Sequence, residues 1–143
     1  MKLPDPQSSS FSALISDIEK GLIKIPQFQR DFVWELTKSA NLIDSIIKGY
    51  PIGTFIFWKT KERLRSVRNI GGVELPEPVA GDFVYFVLDG QQRLTSLFAS
   101  LKGITIQREN GNEDDYSRMY VDLEAAEDEQ IVILDVENRD EKS

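Results

Sequence analysis

Residues 83–103, FVYFVLDGQQRLTSLFASLKG, permit few folds. The run 83–88 is apolar on both faces, which predicts a central strand covered on each side. It stops at Asp89-Gly90, and Leu94, Leu97, Phe98 and Leu101 then recur at helical spacing as far as Gly103. A strand that feeds a helix without a linker places the first backbone N–H groups of that helix beside Gly90, where a ligand can approach closely.

Such a junction suits an anion. Helix N-termini attract phosphate through their N–H groups and the macrodipole, and Arg93 in the first turn adds a planar, two-pronged donor. Without an anion nearby, an arginine there is unfavourable by about 0.3–1 kcal/mol. Asp89 has the opposite sign: its carboxylate can bind Mg²⁺, orient a water or hold Arg93. The plainer alternative makes Asp89 the helix cap, with Gln91 and Gln92 solvated.

The remaining pattern predicts a mixed α/β (α+β) domain with a small sheet and flanking helices. Phe11, Leu14, Ile15, Ile18 and Leu22 mark a first helix, with Ser9 or Ser10 as its cap and Gly21 near its end. Leu42, Ile43, Ile46, Ile47 and Tyr50 mark a second, capped by Thr37 or Ser39 and stopped by Gly49 and Pro51. Strands are expected at 54–59, 104–107, 118–123 and 130–136, with RLRSVR (63–68) as an exposed one. Residues 71–82, rich in Gly and Pro, read as loop, and 108–117 as a hairpin loop. A polar leader (1–9) precedes one domain (10–137), and a charged tail (138–143) follows.

Composition narrows the chemistry. The chain has no Cys and no His, which excludes thiol and imidazole catalysis and the usual zinc sites, so any metal must take oxygen ligands, as Mg²⁺ or Ca²⁺ do. No long apolar window and no signal-peptide pattern occur, which predicts a soluble, cytoplasmic chain without a membrane partner. The formal charge of −7 is divided unevenly. Residues 1–70 carry 11 Lys+Arg against 7 Asp+Glu, net +4, and residues 71–143 carry 6 against 17, net −11. Lys59, Lys61, Arg63, Arg65 and Arg68 form a local basic run, read either as a DNA-phosphate contact or as a charged edge strand. In IPQFQRDFVW (25–34), Gln27, Gln29 and Arg30 alternate with Phe28, Phe32 and Trp34, a pattern that suits a base and a phosphate; the plainer reading of the aromatics is core packing.

In this order, IPQFQR, LIDSII, YPIG and VLDGQQRLTSL closely resemble the DGQQR family, the N-terminal domain of GmrSD-type, modification-dependent (type IV) restriction endonucleases. The resemblance runs from about residue 10 to about residue 107. More distantly, the layout looks like the ParB N-terminal and sulfiredoxin superfamily, with Pro26 to Arg30 and Gly90 to Arg93 at its two motif positions. Gln91 stands where sulfiredoxin has its reactive Cys, so that resemblance does not carry reductase chemistry.

The resemblance implies binding of a nucleoside triphosphate with Mg²⁺, and hydrolysis of it, coupled to recognition and cleavage of modified phage DNA. Gly90, Gln91 and Gln92 would cradle phosphate, and Arg93 and Arg30 would neutralise it. Asp89 would handle metal or water, with Gln92 and Arg93 beside it in catalysis. Thr95 or Ser96 would offer a hydroxyl, and Gln29 would orient the ligand. The family's His-Asn-His nuclease module requires histidine, so it is expected on another segment or chain. The rival expectation is a non-catalytic DNA or nucleotide clamp, or a scaffold for the nuclease.

Overall fold

The structure is a computed structural model that describes residues 10–27, 34–108, 111–126 and 128–134. Its class is α+β. The order is α1 (Phe11–Glu19), β1 (Ile23–Lys24), α2 (Leu36–Ile47), β2 (Ile56–Thr60), β3 (Asn69–Ile70), β4 (Val73–Glu74), β5 (Val84–Asp89), α3 (Gln91–Lys102), β6 (Thr105–Gln107), β7 (Glu113–Asp115), a 3-10 turn (Tyr116–Arg118), β8 (Tyr120–Val121) and β9 (Val132–Ile133).

β5 is the central strand of a mixed three-stranded sheet, parallel to β1 and antiparallel to β2. Val84, Phe86 and Val87 are buried, whereas Tyr85 and Leu88 are 38% and 48% exposed. The expected cover on both faces is therefore incomplete.

Helix α1 starts where predicted: Ser10 Oγ accepts the Ala13 N–H at 3.1 Å, and Leu14, Ile15 and Ile18 turn inward. They meet Ile23, Val87, Leu94 and Phe98 in one apolar core, to which α2 adds Leu42. Neither Thr37 nor Ser39 caps α2. Its N-cap is Glu35, with no side-chain bond, and Ser39 lies buried within the helix, 3.3 Å from the Tyr116 hydroxyl.

Two loop expectations and one strand expectation are corrected. Within 71–82, Gly71-Gly72 turns a two-stranded hairpin, β3–β4, because a Gly-Gly pair accepts the tight turn that matches strand twist. Within 108–117, the acidic β7 pairs with β6. It shows no apolar alternation; Arg108 pairs with Asp114 across the hairpin, and Ile106 of β6 packs against the core. Residues 63–68 form no regular strand. An isolated Pro26–Ser66 bridge joins them to the chain after β1, with Val67 N–H donating to Ile25 O at 2.8 Å.

The segment after β6 is tied to α2 by a carboxylate. Asp44 accepts the N–H groups of Ile131 and Val132 at 2.6 and 3.0 Å and pairs with Lys48 at 2.8 Å. Burial alone would raise its pKa, but the Lys48 bond and the two backbone donors outweigh burial and hold it below the usual value.

Candidate functional site

Asp89, Gly90, Gln91, Gln92 and Arg93 lie together at the end of β5 and the start of α3. With Trp34 and Leu88 they line a cavity of about 310 Å³. Gly90 is the N-cap of α3, in a left-handed conformation with φ 93°, and no side chain caps the helix. Asp89 is therefore not the cap, and the plain reading of the junction fails at that residue. A Cβ on Gly90 would run into the ring of Phe55, so glycine is required both for its φ and for the close approach.

Arg93 is the organising residue. Its Nη1 donates to Ile52 O at 2.7 Å and its Nη2 to Thr54 O at 2.8 Å, while its Cζ lies 4.9 Å from the centroid of the Phe55 ring. The two motifs YPIG and DGQQR are thus interlocked: the guanidinium of one takes the backbone carbonyls of the other. Gly53, with φ 96°, has no Cβ because Arg93 Nη1 occupies that space. The carbonyl dipoles and the ring satisfy a cation that the helix dipole disfavours, and the charge stays on the cavity wall. The sequence pattern aims Arg93 at a ligand, whereas the structure places its fork on the chain.

Gln92 is buried, and its Oε1 accepts the Trp34 N–H at 3.3 Å. On the far side of Trp34, Arg108 Nη2 donates to the Trp34 carbonyl at 2.7 Å. The backbone of Trp34 is held from both directions at the cavity edge. Arg108 also reaches the hydroxyl of buried Tyr116 at 3.3 Å. Burial raises that phenol's pKa above its ordinary value, against the lowering contributions of Ser39 and Arg108.

The remaining candidates separate. Thr95 is buried and lines a second, larger cavity of about 1190 Å³, whose wall it shares with Gln27 and Arg68; Gln91 borders both cavities. Ser96 is fully buried in α3 with no partner for its hydroxyl, so in this arrangement it offers nothing to a ligand, because its position faces the core. Gln29 and Arg30, with Phe28 and Phe32, lie outside the described residues.

The basic run is divided. Arg63 and Arg68 both pair with Glu77, at 2.9 and 3.0 Å, and buried Lys24 joins the same carboxylate at 2.7 Å. Burial alone would raise the Glu77 pKa, but the Lys24 bond and the three cations outweigh burial and lower it. Lys59 and Lys61 lie over aromatic rings instead. Arg65 contributes its backbone carbonyl, which accepts the Gln27 N–H at 3.0 Å.

Sequence reading overlooked Glu77, Phe55 and the carbonyls of Ile52 and Thr54. Gly53 was the available signal for the last, since an isolated Gly between apolar elements often marks a close approach.

Among the described residues, no group of three or more Asp or Glu side chains is placed to hold a metal. Asp89, exposed at the cavity rim, offers one carboxylate. That fits Mg²⁺, which commonly takes one or two carboxylates and completes its shell with phosphate and water.

These features define a small α+β domain with a glycine-capped strand–turn–helix cradle latched to a neighbouring loop. The family profile of the GmrSD restriction endonuclease N-terminal domain matches residues 11–143, and the chain belongs to that family. A relative, the uncharacterized protein MJ0686 of Methanocaldococcus jannaschii, is 36% identical over 92 residues. The match covers 62% of this chain and only 16% of that protein's length. No helix among the described residues is long and apolar enough to cross a membrane.

Proposed function

We propose that this restriction-system N-terminal domain binds a nucleoside triphosphate with Mg²⁺ at the DGQQR turn and hydrolyses it. The observation that carries the reading is a glycine-capped helix N-terminus opening on a cavity that bears a cation and an exposed carboxylate on its wall. The first turn of α3, which no side chain caps, would receive the phosphate oxygens, because the helix dipole favours negative charge there. Arg93 adds positive potential from its latched position and keeps the 52–54 loop in place around the turn. Gln92 fixes Trp34 at the cavity edge. Asp89 would be repelled by phosphate unless a cation stood between them, and it is the residue that would hold Mg²⁺. When bound, the metal would neutralise charge on the phosphoryl oxygens. In the whole protein, turnover here would be coupled to cleavage of modified DNA by a His-Asn-His nuclease module on the same or a separate chain.

A second reading, a non-catalytic clamp, draws on the engagement of Gln92 and Arg93 with backbone groups, which leaves them as positioning rather than reacting residues. A thermal-shift panel of the four nucleoside triphosphates, with and without Mg²⁺, tests binding, and phosphate release on any hit separates the two readings. A ligand at 100 times its dissociation constant should add about 2.7 kcal/mol of stability. A panel without any shift overturns the triphosphate reading and the nucleotide form of the clamp, and leaves a clamp on DNA.

A further inference from the structure

A row of aromatic rings runs from the DGQQR turn along β2 and β5. Arg93 lies against Phe55, and the Phe55 ring stacks towards Phe57 with centroids 6.3 Å apart and planes 29° from parallel. Phe57 meets Tyr85 edge-on at 6.4 Å. Lys59, directly opposite Tyr85 in the sheet register, holds its Nζ 5.9 Å from that ring and 4.8 Å from Phe83. Lys61 Nζ lies 4.9 Å from Phe83 on the same row. Every second residue of 55–61 is thus an aromatic or a lysine, and within β2 strand periodicity puts Phe57 and Lys59 on one face.

The outer end of the row is open: Phe83 is 47% exposed and Tyr85 38%. Large rings are ordinarily worth burying, yet here they are left facing water beneath two lysines. Among the described residues neither lysine pairs with a carboxylate, in contrast to Arg63 and Arg68, which Glu77 occupies.

We propose that this face, Phe83 and Tyr85 with Lys59 and Lys61, binds single-stranded nucleic acid, its bases stacked on the rings and its phosphates on the lysines. The charge complementarity selects a polyanion, and the exposed rings select one whose base faces are free. A duplex would use the lysines and leave the rings idle, as would an acidic peptide. The row leads from this face to Phe55 and Arg93, so a strand lying along it would end at the DGQQR cradle.

The test uses the 143-residue chain with no nucleotide and no Mg²⁺, so that its outcome stands apart from the triphosphate reading. Fluorescence polarisation compares a labelled oligothymidylate with its duplex over a range of salt concentrations. The single strand should bind more tightly, and Phe83→Ala should weaken it about 5- to 150-fold, the range for loss of one stacked base. Phe83→Leu, which keeps apolar bulk without a ring, should lose the same affinity and guards against a folding defect. Lys59→Ser with Lys61→Ser should flatten the salt slope by about 1.4, or 0.7 for each phosphate no longer neutralised. Equal affinity for strand and duplex, parental affinity in Phe83→Leu, or no binding of either nucleic acid would overturn the proposal.

Discussion

At the carboxyl end of β5, Arg93 gives its hydrogen bonds to two backbone carbonyls and its face to Phe55, while Asp89 stays exposed. Beside the strand's other half, Lys24, Arg63 and Arg68 converge on Glu77, while Lys59 and Lys61 rest on rings. A cation can thus be satisfied by carbonyl dipoles, by a carboxylate or by an aromatic face, and each choice leaves something different for a ligand. The carbonyl latch preserves the charge of Arg93 at the cavity wall. Glu77 cancels one charge of three and immobilises the group. The rings leave the lysines their full charge and much of their access.

The largest effect should come from the carboxylate side of that contrast. Glu77→Gln removes the countercharge of a buried lysine and two arginines. Breaking one partner of a buried pair costs about 3–5 kcal/mol, and because Glu77 is itself a third exposed, a loss at the lower end, about 3 kcal/mol, is expected. Urea denaturation checks it, and a loss below about 1 kcal/mol would mean that Lys24 finds solvent without its partner.

The carbonyl side should give somewhat less. Arg93→Ala leaves the Ile52 and Thr54 carbonyls without their donor and removes the cation over Phe55, for a loss of about 2 kcal/mol. Arg93→Lys should recover less than half of it, because a single ammonium cannot reproduce the two-pronged geometry. Full recovery by lysine would show that charge, not the fork, holds the 52–54 loop.

The fold around this site was legible in sequence where apolar periodicity or glycine marked it: α1, α3, the central β5 and the glycine at the turn. The latch was not, because Arg93 binds main-chain carbonyls and those carry no residue signature. Nor was the Glu77 hub, whose partners come from β1 and from the basic run, with Lys24 53 positions away in sequence. β7, with the sequence Glu-Asp-Asp, gives no apolar alternation, and its pairing is fixed through Arg108. Periodicity records which faces avoid water; it is silent on which polar groups find one another.

The smallest expected effect is one of pH. Glu77 and Asp44 both have folded pKa values below their ordinary 4.5 and 3.8. The unfolded chain therefore binds protons first as acid is added. The stability these carboxylates contribute is fully present above their ordinary values and is lost as pH falls through the folded ones. The melting temperature should hold steady above about pH 5 and decline below it, less steeply in Glu77→Gln. A decline of equal steepness in that variant would assign the acid sensitivity to other carboxylates.

The central claim, that the exposed carboxylate at the end of β5 serves a triphosphate held by the helix behind it, is tested most directly at Asp89. Phosphate release should be measured for the parent and for Asp89→Asn with saturating nucleoside triphosphate and Mg²⁺, alongside nucleotide binding. Asparagine nearly keeps the shape, and the exposed position tolerates it. If Asp89 holds the metal, release falls by about a hundredfold or more while the nucleotide still binds. Undiminished release from Asp89→Asn, or no release from the parent with any of the four triphosphates, would contradict it.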